Sequence, residues 1–304
     1  MSDHSNPSHP NRVHPSLARF SPTRLETSCP RYFYLSEVLE LKPSTPQPAL
    51  TFGSAIHMFI ENWQLNRNTD LSPELCYSQA IDSVTATENQ PEDLFSPLID
   101  NNSGDEYSYD NFLTICEEYS KLYWNDGLKL WKTEAVHWQP MPNGTTLGGI
   151  IDGVYLTPSN AIIIRDTKTT RGYLTSAWFF PGMENKFQLS VYYYFCQQLY
   201  PNHEIIGIEI DAISIKKPDF HRRLLSRTDL QISEMLNTYA NKTDNIMKGL
   251  ALPADEQPAH FHCETTQCTA YGGCRFKEIC TYGFNPVTIL PFKDNPNLKS
   301  FANK

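Results

Sequence analysis

The residues best suited to chemistry lie on two apolar runs joined by a short turn. Asp152 sits within Gly148 to Leu156, and Asp166-Thr167-Lys168 closes the run that starts at Ala161. Two carboxylates and an ammonium are what metal-dependent hydrolysis of a phosphodiester requires. The acids supply hard oxygen ligands of the kind Mg²⁺ and Mn²⁺ prefer, the cation lowers the pKa of an attacking water, and the lysine orients that water or stabilises developing charge. The Thr167 main-chain carbonyl offers one more ligand.

Both runs are rich in β-branched residues and bounded by turn formers, which predicts a β-hairpin. Pro158-Ser159-Asn160 serves as a three-residue loop, with proline opening a type I turn and asparagine taking the left-handed position. With Thr157 opposite Ala161, Asp152 falls opposite Asp166. Opposed Cβ atoms stand about 5 Å apart, close enough to share a cation. Lys168, two residues on, points to the same face. A loop of two or four residues would instead set Asp152 opposite Arg165 or Thr167, because a one-residue slip inverts every side chain.

Around the hairpin, Ser21-Pro22 starts a helix that carries Leu25 and ends near Cys29-Pro30, and a second short helix follows through Tyr32, Tyr34 and Val38. Lys42 to Pro48 reads as extended, after which Gly53 opens a helix with Ile56, Phe59, Ile60 and Trp63 at helical spacing. Residues 66–110 are polar, with a mobile acidic loop expected around Asn101 to Asp110. A helix from Phe112 to about Leu130 and a strand from Trp131 to Gln139 carrying Glu134 precede the hairpin. A lid or loop from Thr169 to Pro181, a helix from Lys186 to Leu199, a strand from Ile205 to Ile215 and a helix from Thr228 to Met247 follow it. This order predicts an α/β (α+β) sheet with helices on its faces. Residues up to about Ala18 hold too few apolar side chains to offset the entropy of ordering.

With 304 residues, 40% of them hydrophobic, the chain can bury a sizeable core, and one elaborated domain is expected. No stretch approaches the roughly 20 apolar residues of a membrane span, and Met1 to Pro15 is too polar for a signal peptide. A soluble, cytoplasmic protein with no membrane partner is the expectation. A net charge of −9 argues against nonspecific nucleic-acid binding over the whole surface. Local charge differs. Lys216, Lys217, His221, Arg222, Arg223 and Arg227 form the densest basic stretch, which reads either as a binding surface or as a solvated face, and Arg165, Lys168 and Arg171 border the proposed site.

Three further elements accompany the acids. His57 lies on a helix four residues before Glu61, Gln188 and Tyr192 have the same spacing on a later helix, and Glu134 precedes the hairpin. With these the chain resembles the RecB-like branch of the PD-(D/E)xK nuclease superfamily, which includes CRISPR-associated exonucleases. That branch orders its motifs as histidine, Gly-x-x-Asp, (Asp/Glu)-x-Lys and Gln-x-x-x-Tyr. The matches here are His57, Gly149-Ile150-Ile151-Asp152, Asp166-Thr167-Lys168 and Gln188-Leu189-Ser190-Val191-Tyr192, and the resemblance spans about Phe20 to Tyr282. It implies a restriction-endonuclease-like central mixed sheet flanked by helices. It also implies that His57, Asp152, Asp166 and the Thr167 carbonyl hold the metal, that Lys168 serves catalysis, and that Gln188 and Tyr192 shape the site or contact DNA. His57 paired with Glu61 on a helix surface, and Tyr192 as ordinary core, are the bland alternatives.

Eight cysteines without a secretion signal should be reduced thiols or ligands. Cys76, Cys116 and Cys196 sit among apolar residues and read as packing. Cys263, Cys268, Cys274 and Cys280 cluster near the end, around a turn at Tyr271-Gly272-Gly273. Four thiolates can hold zinc or an iron-sulfur cluster, and the wide intervals favour the cluster. The resemblance sharpens this, because some of these nucleases bind a [4Fe-4S] cluster through one cysteine near the N-terminus and three near the C-terminus. Cys29, in Cys29-Pro30-Arg31-Tyr32-Phe33-Tyr34, with Cys268, Cys274 and Cys280 resembles that set. The first interval of the triplet is longer than in the family, so Cys263 or His262 is a rival for one ligand position. N- and C-terminal segments would then join at the cluster.

The domain organisation expected is a tail over 1–19, a nuclease domain over 20–285 with a helical insertion at about 66–130 and the cysteine region at 260–284, and a tail over 286–304. The function expected is that of a Mg²⁺- or Mn²⁺-dependent deoxyribonuclease, an exonuclease on DNA ends or single strands. Its partners would be DNA and a helicase or recombination protein. Two other classes compete: a noncatalytic DNA-binding accessory protein of the same fold, and a zinc-stabilised interaction protein.

Overall fold

The structure is a computed structural model that describes residues 18–26, 29–44, 48–86, 104–176, 179–265, 268 and 273–292. In chain order the strands are β1 (Arg19–Phe20), β2 (Lys129–Pro140), β3 (Thr146–Leu156), β4 (Ile162–Thr170), β5 (Ile205–Ser214) and β6 (Asp219–Leu225). The helices are α1 (Pro22–Glu26), α2 (Pro30–Phe33), which runs on into a π-helical turn over Tyr34–Val38, α3 (Pro48–Arg67), α4 (Pro73–Thr85) and α5 (Tyr109–Tyr123). After the hairpin come α6 (Phe179–Glu184), α7 (Phe187–Leu199), α8 (Asp229–Leu250), α9 (Gln257–His260) and α10 (Lys277–Tyr282). The expected tail up to Ala18 lies outside the described residues except for Ala18 itself, and so does the C-terminal tail beyond Phe292.

Two compact units share the chain. One comprises Met1–Thr45, Trp138–Gly148 and Glu234–Lys304, and the other Pro46–His137 and Gly149–Ser233. The second unit carries the mixed sheet, in which β2 pairs with β3, β3 lies antiparallel to β4, β4 parallel to β5, and β5 antiparallel to β6. A parallel pair needs a crossover, and α6 and α7 supply it between β4 and β5. α7 packs on β4 and β5, while α3 meets β4. The mixed α/β sheet with flanking helices is therefore as expected.

The hairpin turns through a three-residue loop. Thr157 N–H donates to the Ala161 carbonyl at 2.9 Å, and Asn160 takes φ 64°. The pairs Leu156–Ile162 and Gly153–Arg165 then keep the register that leads toward Asp152 and Asp166. α3, α4 and α5 enclose an apolar core built on Phe52, Phe59, Trp63, Phe112 and Tyr119, and Cys76 and Cys116 pack within it. Cys196 is likewise buried.

Several boundaries differ from the sequence reading. α3 opens at Pro48, five residues before Gly53, since a first-turn proline leaves no N–H unpaired. α5 starts at Tyr109, where Ser108 caps the Asn111 N–H at 3.2 Å, so the acidic loop expected to reach Asp110 is ordered from Gly104. It ends at Tyr123 and not near Leu130, because Gly127 at φ 74° turns the chain into β2. Thr169 and Thr170, expected in a lid, still pair with Ile213 and Ser214. Strand β6 was not anticipated: its inward residues include Arg222, and a charged inward residue hides the period-2 pattern.

The first unit is held by aromatic contacts. Phe20 stacks near Phe33 at 6.2 Å, Tyr34 on Phe261 at 5.3 Å, and Tyr32 meets Phe276 edge-on at 5.0 Å. β1 pairs parallel with Thr146 and Leu147 of β3.

Candidate functional site

The site grows from β4. Alternation along a strand puts Asp166 and Lys168 on one face and Arg165 and Thr167 on the other. On the first face Lys168 Nζ donates to Asp166 Oδ1 at 2.9 Å and to Gln188 Oε1 at 3.1 Å, and it forms an ion pair with Asp166 Oδ2 at 2.8 Å. Gln188 Nε2 in turn donates to the Tyr192 hydroxyl at 2.7 Å. Helical spacing of four brings Gln188 and Tyr192 together on α7, and this fixes the ammonium from the helix side. Asp166 is buried at 1% exposure, while Lys168 keeps 28% of its side chain open.

On the other side Asp152 Oδ2 accepts the Thr167 N–H at 2.9 Å and lies 3.5 Å from His57 Nδ1. The Thr167 carbonyl faces the His57 ring. α3 delivers His57 to this point because it approaches β4 closely at Gly53, where an added Cβ would stand 3.0 Å from Thr169 Oγ1. Burial pulls the imidazole below its usual pKa, against the Asp152 carboxylate and with the Lys168 charge, so at pH 7 it is neutral and able to act as a ligand.

A narrow cleft beneath His57 and Asp152 is lined by Glu61, Gln64, Glu134 and Arg165 as well. Glu134 holds φ 42°, a left-handed conformation that is uncommon for a side chain other than asparagine or glycine. Loss of hydration, then the charges of Asp152 and Glu61, push its carboxyl up to about 7. Gln64 is 1% exposed, and neither of its amide atoms has a hydrogen-bond partner among the described residues. Sequence reading missed Gln64, although His57, Glu61 and Gln64 recur at four and then three residues, the spacing of one helical stripe.

It also missed a buried ion network behind β4. Asp126 meets Arg67 at 2.6 Å, Arg222 at 2.7 Å and Arg165 at 3.3 Å. Arg165 also bonds Glu209 at 2.7 Å, and Arg222 bonds Asp211 at 3.2 Å, to which Tyr119 donates as well. Three guanidinium groups thus balance three carboxylates. Arg165 and Arg222, taken from sequence as a border charge and part of a basic stretch, are structural here, and Arg227 is buried against Ser190 at 2.9 Å. Lys216, Lys217, His221 and Arg223 are the exposed members of that stretch.

The first unit gathers the thiols. Cys29 Sγ accepts the Glu264 N–H at 3.4 Å, and Cys263 Sγ stands 3.8 Å from Cys268 Sγ. Gly273, at φ 107°, turns the chain so that Cys274 N–H reaches the Cys268 carbonyl at 3.1 Å. Among the described residues no three His, Cys, Asp or Glu side chains converge closely enough, as they stand, to hold a single metal ion.

Residues 19–281 match the family described as the PD-(D/E)XK nuclease superfamily. No curated protein matches the sequence. Among solved structures, a provisionally assigned exonuclease from Eubacterium rectale aligns with 12% identity and a TM-score of 0.44, over 82% of this chain and 88% of its own. The protein SSO0001 aligns with 14% identity and a TM-score of 0.34, over 78% of each chain.

Proposed function

Since the chain belongs to the PD-(D/E)XK nuclease superfamily, we propose that it is a Mg²⁺- or Mn²⁺-dependent deoxyribonuclease, acting as an exonuclease on DNA ends or single strands and stabilised by a [4Fe-4S] cluster. What supports the hydrolytic reading is that His57 Nδ1 lies 3.5 Å from Asp152, which accepts the Thr167 N–H, while Asp166 and Lys168 pair on the same strand as Thr167. The donor set suits such an ion: a neutral imidazole, two carboxylates and a main-chain carbonyl are oxygen and nitrogen donors of the type Mg²⁺ and Mn²⁺ accept. Bound there, the ion would supply charge neutralisation at the phosphate and a more acidic water.

The chain's own groups do the rest. Lys168 holds a proton-rich ammonium beside Asp166, open to solvent on one side, where it can meet the phosphate oxygen that gains charge. Gln188, itself held by Tyr192, keeps the lysine from folding away. Buried Asp166 pairs with that ammonium at 2.8 Å. Exposed Lys216 and Lys217 would meet phosphate on a chain that is acidic as a whole, Lys216 standing 3.9 Å from Glu106, whereas Arg223 is paired with Glu184 at 2.7 Å. Tyr173, 67% exposed and five residues past Lys168, offers a ring for an unpaired base to stack on.

For the cluster, the support is that Cys29 and the C-terminal cysteines occupy one unit, where Cys29 Sγ accepts the Glu264 N–H and Cys263 Sγ lies 3.8 Å from Cys268 Sγ. Thiolates arranged around a cluster bind separate irons and so stand farther apart than ligands of a lone ion.

The test is digestion of end-labelled single strands and duplexes by anaerobically purified protein with Mg²⁺ or Mn²⁺. Cutting that depends on metal and falls about 10²- to 10³-fold in Lys168→Ala is expected, the usual cost of removing one stabilising donor. Intact DNA, or unchanged cutting by the variant, sinks the proposal.

A further inference from the structure

The segment around Cys263 is the part of the C-terminal cysteine region most firmly tied to Cys29. Arg31 N–H donates to the His262 carbonyl at 3.0 Å on one side of Cys263, and Glu264 N–H donates to Cys29 Sγ at 3.4 Å on the other. The Arg31 guanidinium adds bonds to the carbonyls of Phe261 at 2.7 Å and Pro258 at 2.6 Å. These contacts bracket Cys263 and fix its backbone beside the Cys29 turn. Its thiol lies against Cys268 Sγ at 3.8 Å.

A cubane takes four thiolates, whereas this unit holds five candidate thiols: Cys29, Cys263, Cys268, Cys274 and Cys280. Two sulfurs in van der Waals contact address the same corner of a cluster and not two different corners. We propose that Cys263 is a fifth thiol of the cluster site, interchangeable with Cys268 as the ligand of one iron. The inference rests on the cluster reading above. Exchange breaks the bond from iron to Cys268 Sγ and forms one to Cys263 Sγ. Cys263 releases its proton as it binds, and the departing Cys268 thiolate takes one up. No change of oxidation state is involved.

The full chain and its Cys263→Ser, Cys268→Ser and doubly substituted variants are reconstituted anaerobically with ferrous iron and sulfide. Iron and acid-labile sulfide are counted per chain, and the visible charge-transfer spectrum is recorded. Each single variant should keep the full iron content, Cys268→Ser with a shifted spectrum, and the double variant should lose it. Loss of iron from Cys268→Ser alone, or its retention in the double variant, overturns the exchange while leaving the cluster standing. A natural chain that takes up zinc or nothing overturns the cluster reading and this inference together.

Discussion

At the scale of single residues the site is a balance of like charges. Glu134 shares its cleft with Asp152 and Glu61, and its carboxyl is pushed up to about 7 from an ordinary 4.5. Between those two values the folded chain holds a proton that the unfolded chain has released, so folding stability falls as pH rises through that window. In metal-free protein, Glu134→Gln should remove this slope. Denaturant titrations of parent and variant at pH 4.5 and 7 measure it, and a parallel pH dependence in both excludes the carboxylate contact. His57, whose imidazole is pulled down, contributes the opposite slope in both proteins and cancels from the difference. The motif residues were legible in sequence because Asp152, Asp166 and Lys168 fall on one face of a predicted hairpin, and because their order with His57, Gln188 and Tyr192 resembles that of the RecB-like nucleases. Gln64 was not, because a glutamine in an apolar helix carries no signal until its neighbours are known.

At the scale of elements the hairpin loop sets the spacing of the candidate site. Asn160 in the left-handed region holds a loop of three residues, and that loop length gives β3 and β4 their register. Asparagine tolerates this conformation and alanine does not, at a cost of about 1–2 kcal/mol. Asn160→Ala should lower stability by that amount and Asn160→Gly should leave it unchanged, as read by chemical denaturation. Equal effects from the two would remove the backbone argument. This loop was readable because its three residues are local turn formers. β6 and the early start of α3 were less so: an edge strand bearing Arg222 shows no alternation, and the proline at the head of α3 reads equally as the end of an extended segment.

At the scale of the molecule, the ion network supports the second unit. Burial alone would raise the Asp126 carboxyl, but hydrogen bonding from Arg67, with Arg165 and Arg222 beside it, outweighs this and holds it below its ordinary 3.8. Its contribution is therefore present above that value and lost as pH falls through the lower folded-state value. Asp126→Asn leaves three buried guanidinium groups facing two carboxylates, which should cost about 3–5 kcal/mol at neutral pH. It should also flatten the acid limb of the stability profile. An acid limb of unchanged steepness would show that Asp126 does not drive it. No helix among the described residues is long and apolar enough to cross a membrane.

Sequence by itself determined what is local or periodic: the hairpin and its register, the helices that carry His57 and Gln188, and the order of the motifs. It also grouped four cysteines near the C-terminal end, and resemblance to the family added Cys29. Tertiary structure alone decided which charges are buried and with what partners. Arg165, Arg222 and Arg227 read as surface basics in the chain, yet each is enclosed, because a guanidinium can enter a core only where carboxylates or carbonyls from distant segments meet it. Contacts between Cys29 and residues 262–264 belong to the same class, since bonds between segments so far apart in sequence exist only once the chain has closed on itself.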